Sequence, residues 1–280
     1  MAKKKQLHAL IDADILLYQT VSAVEKPIDW GNDMWTLHSD MQEAKQMFDV
    51  SLADILEKVG TKDFTLCFSS PNNFRIRILQ EYKANRLTTR KPVAYAPVRL
   101  YAEQTYRTQT FPTLEADDVI GIIGTTPKPK HRYVMVSEDK DFKTIPGFHY
   151  NPRMGVFTEI SEDSANRHHL YQTLIGDPTD NYKGCPGVGP VKADNILNDD
   201  CSWGAVVAAF VKAGLTEKDA LVQARVSRIL RHGEYDLKTA EVKLWTPPTP
   251  TSHPSKTQAS EKLSTLEASA TPEKERAASI

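Results

Sequence analysis

A chain of 280 residues can bury a full core in one large domain, or in a domain with a small appendage, so no stapled mini-fold is required. Its three cysteines, Cys67, Cys185 and Cys201, share no short pair spacing, which speaks against a cysteine-built zinc site or a disulfide framework and fits a reducing cytosol. A formal net charge of −1 gives no whole-chain basic excess of the kind that marks polyanion binding, and no run approaches the roughly 20 apolar residues of a membrane span.

The opening MAKKKQLHALIDADILL carries the basic residues of a signal peptide, but Asp12 and Asp14 interrupt the stretch that should be apolar, so the chain is expected to stay in the cytosol without an anchor. Residues 7–11 read as a short buried strand, followed by a helical pattern to about residue 25. Residues 40–58 and 115–123 suit helices, and 64–68 and 133–136 suit further strands, so the order predicts an α/β fold with a mixed, largely parallel central sheet flanked by helices. Between Arg75 and Lys91 lie Arg75, Arg77, Lys83, Arg86, Arg90 and Lys91 against the single acid Glu81. Beyond residue 166 helices are expected at 167–175, 191–197, 202–213 and 217–231, with a Gly/Pro segment at 184–190. The predicted organisation is therefore an α/β domain over 1–165 with a basic helical arch at 74–91, a helical subdomain over 166–247, and a tail over 248–280 too poor in large apolar residues to order.

The acids fall at predicted strand ends and helix starts. Asp12 and Asp14 follow the first strand; Glu138, Asp139 and Asp141 follow VMV; Glu115, Asp117 and Asp118 open a helix in LEADDVIG; Asp177 and Asp180 sit one helical turn apart in GDPTDN. Each has a plain alternative as a helix-dipole partner or turn former. Converging in a cleft, however, such carboxylates would repel one another and titrate high unless cations neutralised them. Oxygen-rich sites of this kind suit Mg²⁺ or Mn²⁺, and two such ions serve phosphodiester hydrolysis.

DAD after a strand and GDPTD downstream also resemble haloacid-dehalogenase-type phosphohydrolases, in which Asp12 would be the nucleophile. DADIL lacks the expected hydroxyl residue, and that reading leaves LEADD and the basic segment without a role. The series LIDADILLYQ, NFRIRILQEYKANR, LEADDVIG, SEDKDFKTIPG, GDPTDNYKG and ARVSRILRHGEYDLKTAEVKLWTP instead resembles the flap-endonuclease-like 5′-nucleases of PIN-like fold, most closely the 5′-to-3′ exonucleases of T-seven-like bacteriophages, over roughly residues 7 to 247.

That resemblance implies a 5′-to-3′ exonuclease acting on duplex DNA with 5′ ends, and on RNA in RNA–DNA hybrids, beside phage replication proteins in the cytoplasm of an infected bacterium. It implies Asp12, Glu115 and Asp117 as ligands of a first metal, and Asp118, Asp139, Asp141, Asp177 and Asp180 as the second site and its outer shell. Asp14 is a helper or helix cap. Lys83 and Arg86 should grip the scissile phosphate, with Asp12 and Asp118 the other catalytic residues; Tyr82 should stack on the terminal base and Arg75 should support phosphate contacts. The plain alternative for YKANR is a solvated basic helix. GCPGVGPVKADNIL resembles a helix-three-turn-helix, in which Gly184, Gly187 and Gly189 bring the backbone to phosphates, Lys192 contacts DNA and K⁺ binds; a turn between packed helices explains the glycines alone about equally well. Two departures stand out. FSSPNNFR puts Ser69 or Ser70 where the family commonly has a metal-binding aspartate, and Val191 stands where a lysine is usual, with Lys192 one step later. The first departure leaves open a non-catalytic DNA-binding relative.

Overall fold

In the computed structural model, residues 6–127 and 129–248 are described. The first strand, β1 (Leu7–Asp12), runs into α1 (Ala13–Val24) without a loop, because Asp12 turns out of the strand and accepts the Ile15 amide as helix cap. A hairpin of β2 (Lys26–Asp29) and β3 (Trp35–His38) leads to α2 (Met41–Val59), capped by Asp40 at its start and by Gly60, with φ of +75°, at its end. Then follow β4 (Phe64–Cys67), α3 (Tyr95–Thr105), β5 (Thr108–Gln109), α4 (Ala116–Gly124), β6 (Arg132–Val136), β7 (Gly147–Asn151) and β8 (Val156–Ile160).

The sheet order is β5-β4-β1-β6-β7-β8, parallel except for β8, which pairs antiparallel with β7. Alternation sets its two faces: Ala9 and Ile11 pack with α1, α2 and α3, whereas Leu10, Cys67 and Met135 face α4. The register pairs Asp12 with Cys67 and Ile11 with Val136, so the loops leaving β1, β4 and β6 emerge side by side at one carboxyl edge. The fold class is the expected one.

Helices α5 (Glu162–Ile175), α6 (Pro190–Asp199), α7 (Trp203–Lys212) and α8 (Glu217–Ser227) share a separate core around Leu174, Leu197, Val206 and Phe210. Helix α5 begins at the Ser161 cap, ahead of the expected start, so residue 165 lies within it rather than at a boundary. Helix α8 stops at Ser227, short of the expected 231, and Ile229 and Leu230 return to the α4 side of the sheet. Gly121 permits that return, since a Cβ there would stand 2.3 Å from the Leu230 carbonyl oxygen. A short pair, β9 (Tyr235–Asp236) and β10 (Glu241–Val242), follows. The described residues up to Thr246 form one compact unit. Of the expected tail, Pro248 carries no regular structure and residues 249–280 lie outside the described residues.

The basic segment is not the expected helix. It comprises two short 3-10 helices, Phe74–Arg77 and Ala84–Arg86, joined by turns, with Lys83 at φ of +55° and its amide donating to the Asp180 carbonyl.

Candidate active site

At the carboxyl edge Asp12 is 5% exposed, and its Oδ2 accepts the Ser137 hydroxyl at 2.9 Å from the loop after β6. Burial, then the neighbouring Asp14, raise its pKa to about 7 despite that bond. Asp117, on the first turn of α4, makes no hydrogen bond or ion pair among the described residues; burial, Asp12 and Asp139 push its carboxyl well above the usual range. Asp139 caps the 3-10 helix Lys140–Thr144 through the Asp141 amide, and its carboxylate stands near enough to repel both Asp12 and Asp117. Three acids, from the end of β1, the start of α4 and the loop after β6, thus meet with too few cations to neutralise them.

Glu115 is stabilised differently. It caps α4 in a reciprocal box with Asp118, and burial would raise its pKa, but Lys83 and Arg75 outweigh burial and hold it at about 2. Lys83 Nζ contacts Glu115 Oε1 and lies 3.5 Å from Asp180, which Arg86 also binds at 2.6 Å. Burial opposes the Lys83 charge, yet Glu115 and Asp180 raise its pKa above the ordinary lysine value. A second group of acids adjoins. Burial, then Asp139, raise Asp141 to about 7, with Asp180 and Asp177 adding to the effect, while Gln172 donates to its Oδ1. Asp177 is buried as well, but Lys140 at 2.6 Å overcomes desolvation and lowers its pKa.

A cleft of about 630 Å³ joins the acids Asp12, Asp14, Glu115, Asp117 and Asp139 to the bases Lys83, Arg86, Arg90, Lys91 and Arg99. Its lining mixes carboxylates with lysines and arginines, a combination suited to holding a phosphodiester beside metal ions. Asp14 is not the helix cap, which is Asp12; its Oδ2 accepts the Ser69 amide at 2.8 Å and its Oδ1 accepts the Tyr95 hydroxyl at 3.1 Å. Its charge therefore stands beside Ser69 and Ser70, where the sequence lacks an aspartate.

Three residues stand elsewhere than the resemblance implied. Arg75 is 2% exposed and grips Asp118 bidentately, with both bonds at 2.7 Å, while also donating to the carbonyls of Val226 and Arg228. Asp118 is completely buried and also accepts the Leu230 amide, so this pair locks α4 to the returning chain and neither residue faces the cleft. Tyr82 is 4% exposed, packed with Tyr182 and Val226, and its hydroxyl lies 2.9 Å from Glu115 and 3.1 Å from Asp180, so its ring offers no free face to a base. Gly189 caps α6 ahead of Pro190, Gly187 has φ of +71° with open space where a Cβ would be, and exposed Lys192 donates to the Gly187 carbonyl. This turn lies outside the cleft lining.

Ser137, Tyr95, Arg99, Lys140 and Gln172 were not singled out from the sequence. Ser137 directly precedes the EDKD acids, and Tyr95 and Arg99 are spaced i, i+4 on α3, but neither pattern distinguishes a site from an ordinary surface.

Residues 8–160 match the family described as 5′-3′ exonuclease, N-terminal resolvase-like domain. The chain is 31% identical over 281 residues to an exodeoxyribonuclease of Enterobacteria phage T3, covering 85% of this chain and 92% of that protein. It is 30% identical over 279 residues to an exonuclease of Escherichia phage T7, with coverages of 85% and 93%. Its fold is similar to that of a bacteriophage T5 flap endonuclease variant solved as a pseudo-enzyme–product complex with DNA and metal ions, at a TM-score of 0.60 and 13% identity over 79% of this chain and 89% of that one.

Proposed function

The chain belongs to the 5′-3′ exonuclease family and is a nuclease, and from that premise we propose that it uses Mg²⁺ to remove nucleotides from 5′ ends of duplex DNA, and RNA from RNA–DNA hybrids. Its setting would be phage DNA replication, primer removal and host DNA degradation in the cytoplasm of an infected bacterium. The observation that carries this reading is the cleft that brings Asp117, without a side-chain partner among the described residues, and the high-titrating Asp12 together with Lys83 and Arg86.

The donor set fits hard divalent ions. Asp12, Asp117 and Asp139 are oxygen donors from three separate segments, Asp12 buried and the other two half-buried beside it without matching protein cations, a state that bound ions would relieve. Asp12, Glu115 and Asp117 would hold one ion, and Asp139, Asp141, Asp177 and Asp180 the other group. When bound, the ions supply Lewis-acid polarisation of the phosphodiester.

The protein's own groups do the rest. Lys83 is held protonated by its acidic neighbours and Arg86 offers a planar fork of donors, so both can transfer from Glu115 and Asp180 to phosphate oxygens. Ser137 fixes the Asp12 carboxylate, and the Tyr95 hydroxyl and Ser69 amide fix Asp14, so both aspartates are oriented before substrate arrives. At the α5–α6 turn, the open Cβ space at Gly187 and Gly189 leaves backbone able to approach a duplex, with Lys192 beside it; the carbonyls of this turn would also suit K⁺. The DNA in the T5 complex supports the substrate class.

Duplexes labelled at the 5′ or the 3′ end, incubated with Mg²⁺, test the reading. Early release of the 5′ label as short products is expected; early release of the 3′ label would overturn the polarity, and no release at all would overturn the substrate.

A further inference from the structure

The amino edge of the sheet holds a second cluster that nuclease chemistry does not use. His8 near the start of β1, Asp63 just before β4 and His131 just before β6 lie on adjacent strands, with Ala9 opposite Phe64 and Leu7 opposite Arg132. Their donor atoms converge: His8 Nδ1 is 3.0 Å and His131 Nδ1 is 3.4 Å from the same oxygen, Asp63 Oδ2, and all three atoms lie within 4.8 Å of one another. Neither ring nitrogen is solvent-exposed, and neither makes a directed hydrogen bond among the described residues. Each faces the Asp63 carboxylate without a well-aligned bond, an arrangement that leaves desolvation incompletely offset unless an ion sits among the three atoms.

The spacing has a metric meaning. Ligands at 2.0–2.1 Å around a tetrahedral ion stand roughly 3.3–3.4 Å from one another, close to the 3.0 and 3.4 Å found here. His8 Nε2 lies 2.9 Å from the Thr65 hydroxyl, a partner that fixes the ring with Nδ1 turned to the shared space. Arg107 occupies the other Asp63 oxygen, Oδ1, at 3.3 Å, leaving Oδ2 to the cluster. His8 is 4% exposed while the side chains of Asp63 and His131 are 20% and 32% exposed, so the outer side is open to water.

We propose that His8, Asp63 and His131 form a binding site for a borderline-soft divalent ion such as Zn²⁺, with water as the fourth ligand, clasping β1, β4 and β6 at their amino ends. Two imidazoles and one carboxylate suit zinc, whereas Mg²⁺ requires six oxygens in octahedral array. The site is distinct from the carboxylate cleft, because His8 and Asp12 stand near opposite ends of β1, about 13 Å apart at the usual strand rise. A metal-free trio in which both rings donate to Asp63 is the competing arrangement, and it predicts no zinc binding.

The full chain, stripped with chelator, is titrated with Zn²⁺ by calorimetry and with Co²⁺ by visible absorption. A triple variant, Asp12→Asn with Asp117→Asn and Asp139→Asn, removes the competing carboxylate site. One zinc per chain is expected in the triple variant, and a raised thermal midpoint and an intense tetrahedral Co²⁺ band are expected in both proteins. Adding His131→Gln to the triple variant is expected to weaken zinc about 100-fold or more, beyond the usual loss for an outer partner, with the metal-free circular dichroism spectrum unchanged. Absence of stoichiometric zinc in the triple variant, zinc affinity unchanged by His131→Gln, or only the weak band of octahedral Co²⁺ in the wild-type chain would overturn the proposal. Because none of these readouts is cleavage, they stand or fall independently of the nuclease reading.

Discussion

Asp12 makes the electrostatic cost of the cleft measurable. Its folded pKa of about 7 lies above the ordinary value of 3.8, so its contribution to stability is full below about pH 4 and is lost as pH rises through about 7. Buried His169, lowered to about 3 by desolvation, gives the opposite slope in the whole protein, so the comparison needs a variant that shares it. In EDTA, Asp12→Asn is expected to gain stability over wild type from about pH 4 to about pH 7 and then to level off, with Mg²⁺ reducing the difference. Urea midpoints across pH check this; a difference independent of pH would contradict it. Arg75 and Lys83, both basic and close in sequence, should part company. Arg75→Ala strands a fully buried Asp118 and should cost about 3–5 kcal/mol of stability, whereas Lys83→Ala, which leaves Glu115 its bonds from Arg75 and Tyr82, should cost less stability and lower kcat roughly 100-fold or more. Thermal melts and single-turnover cleavage of both variants separate the two roles.

Elements were legible wherever local chemistry marks their ends. LEADDVIG declares α4 through the Glu115–Asp118 box, and Asp40, Ser202 and Thr216 mark helix starts in the same way. The hairpins β2–β3 and β7–β8 went unread because their strands are only four or five residues long, too short for a pattern of period two to stand out. The basic segment was misread as helical since its charge pattern says nothing of the backbone hold from Asp180, almost 100 residues later. The glycines before α6 divide by environment. A Cβ on Gly184, at φ of +64°, would stand 2.3 Å from the Gly176 amide nitrogen, whereas one on Gly187 would meet nothing. Gly184→Ala is therefore expected to cost more than about 2 kcal/mol and Gly187→Ala about 1 kcal/mol. Equal chemical denaturation midpoints for the two variants would contradict this account of the turn.

At the scale of the molecule, the carboxyl edge was legible because parallel strands deliver their following loops to one place, and the acids in DAD, LEADD and SEDKD each follow a recognisable strand or open a helix. What the sequence could not reveal is which acids keep free oxygens there. Asp117 and Asp118 are neighbours, yet one faces the cleft and the other is consumed by Arg75, a contact 43 residues distant that depends on the whole α4 packing. Tyr82 and Asp14 are similar cases, their roles set by partners from remote segments. The amino-edge histidines escaped notice for the same reason, since His8 and His131 meet only through strand order. The most direct measurement is release of the 5′-terminal label from duplex DNA as Mg²⁺ is titrated, for wild type and Asp117→Asn side by side. The account predicts Mg²⁺-dependent release by wild type and a rate lower by roughly 100-fold or more in the variant, with the variant at least as stable as wild type in EDTA. An Asp117→Asn enzyme that cleaves at the wild-type rate would contradict it.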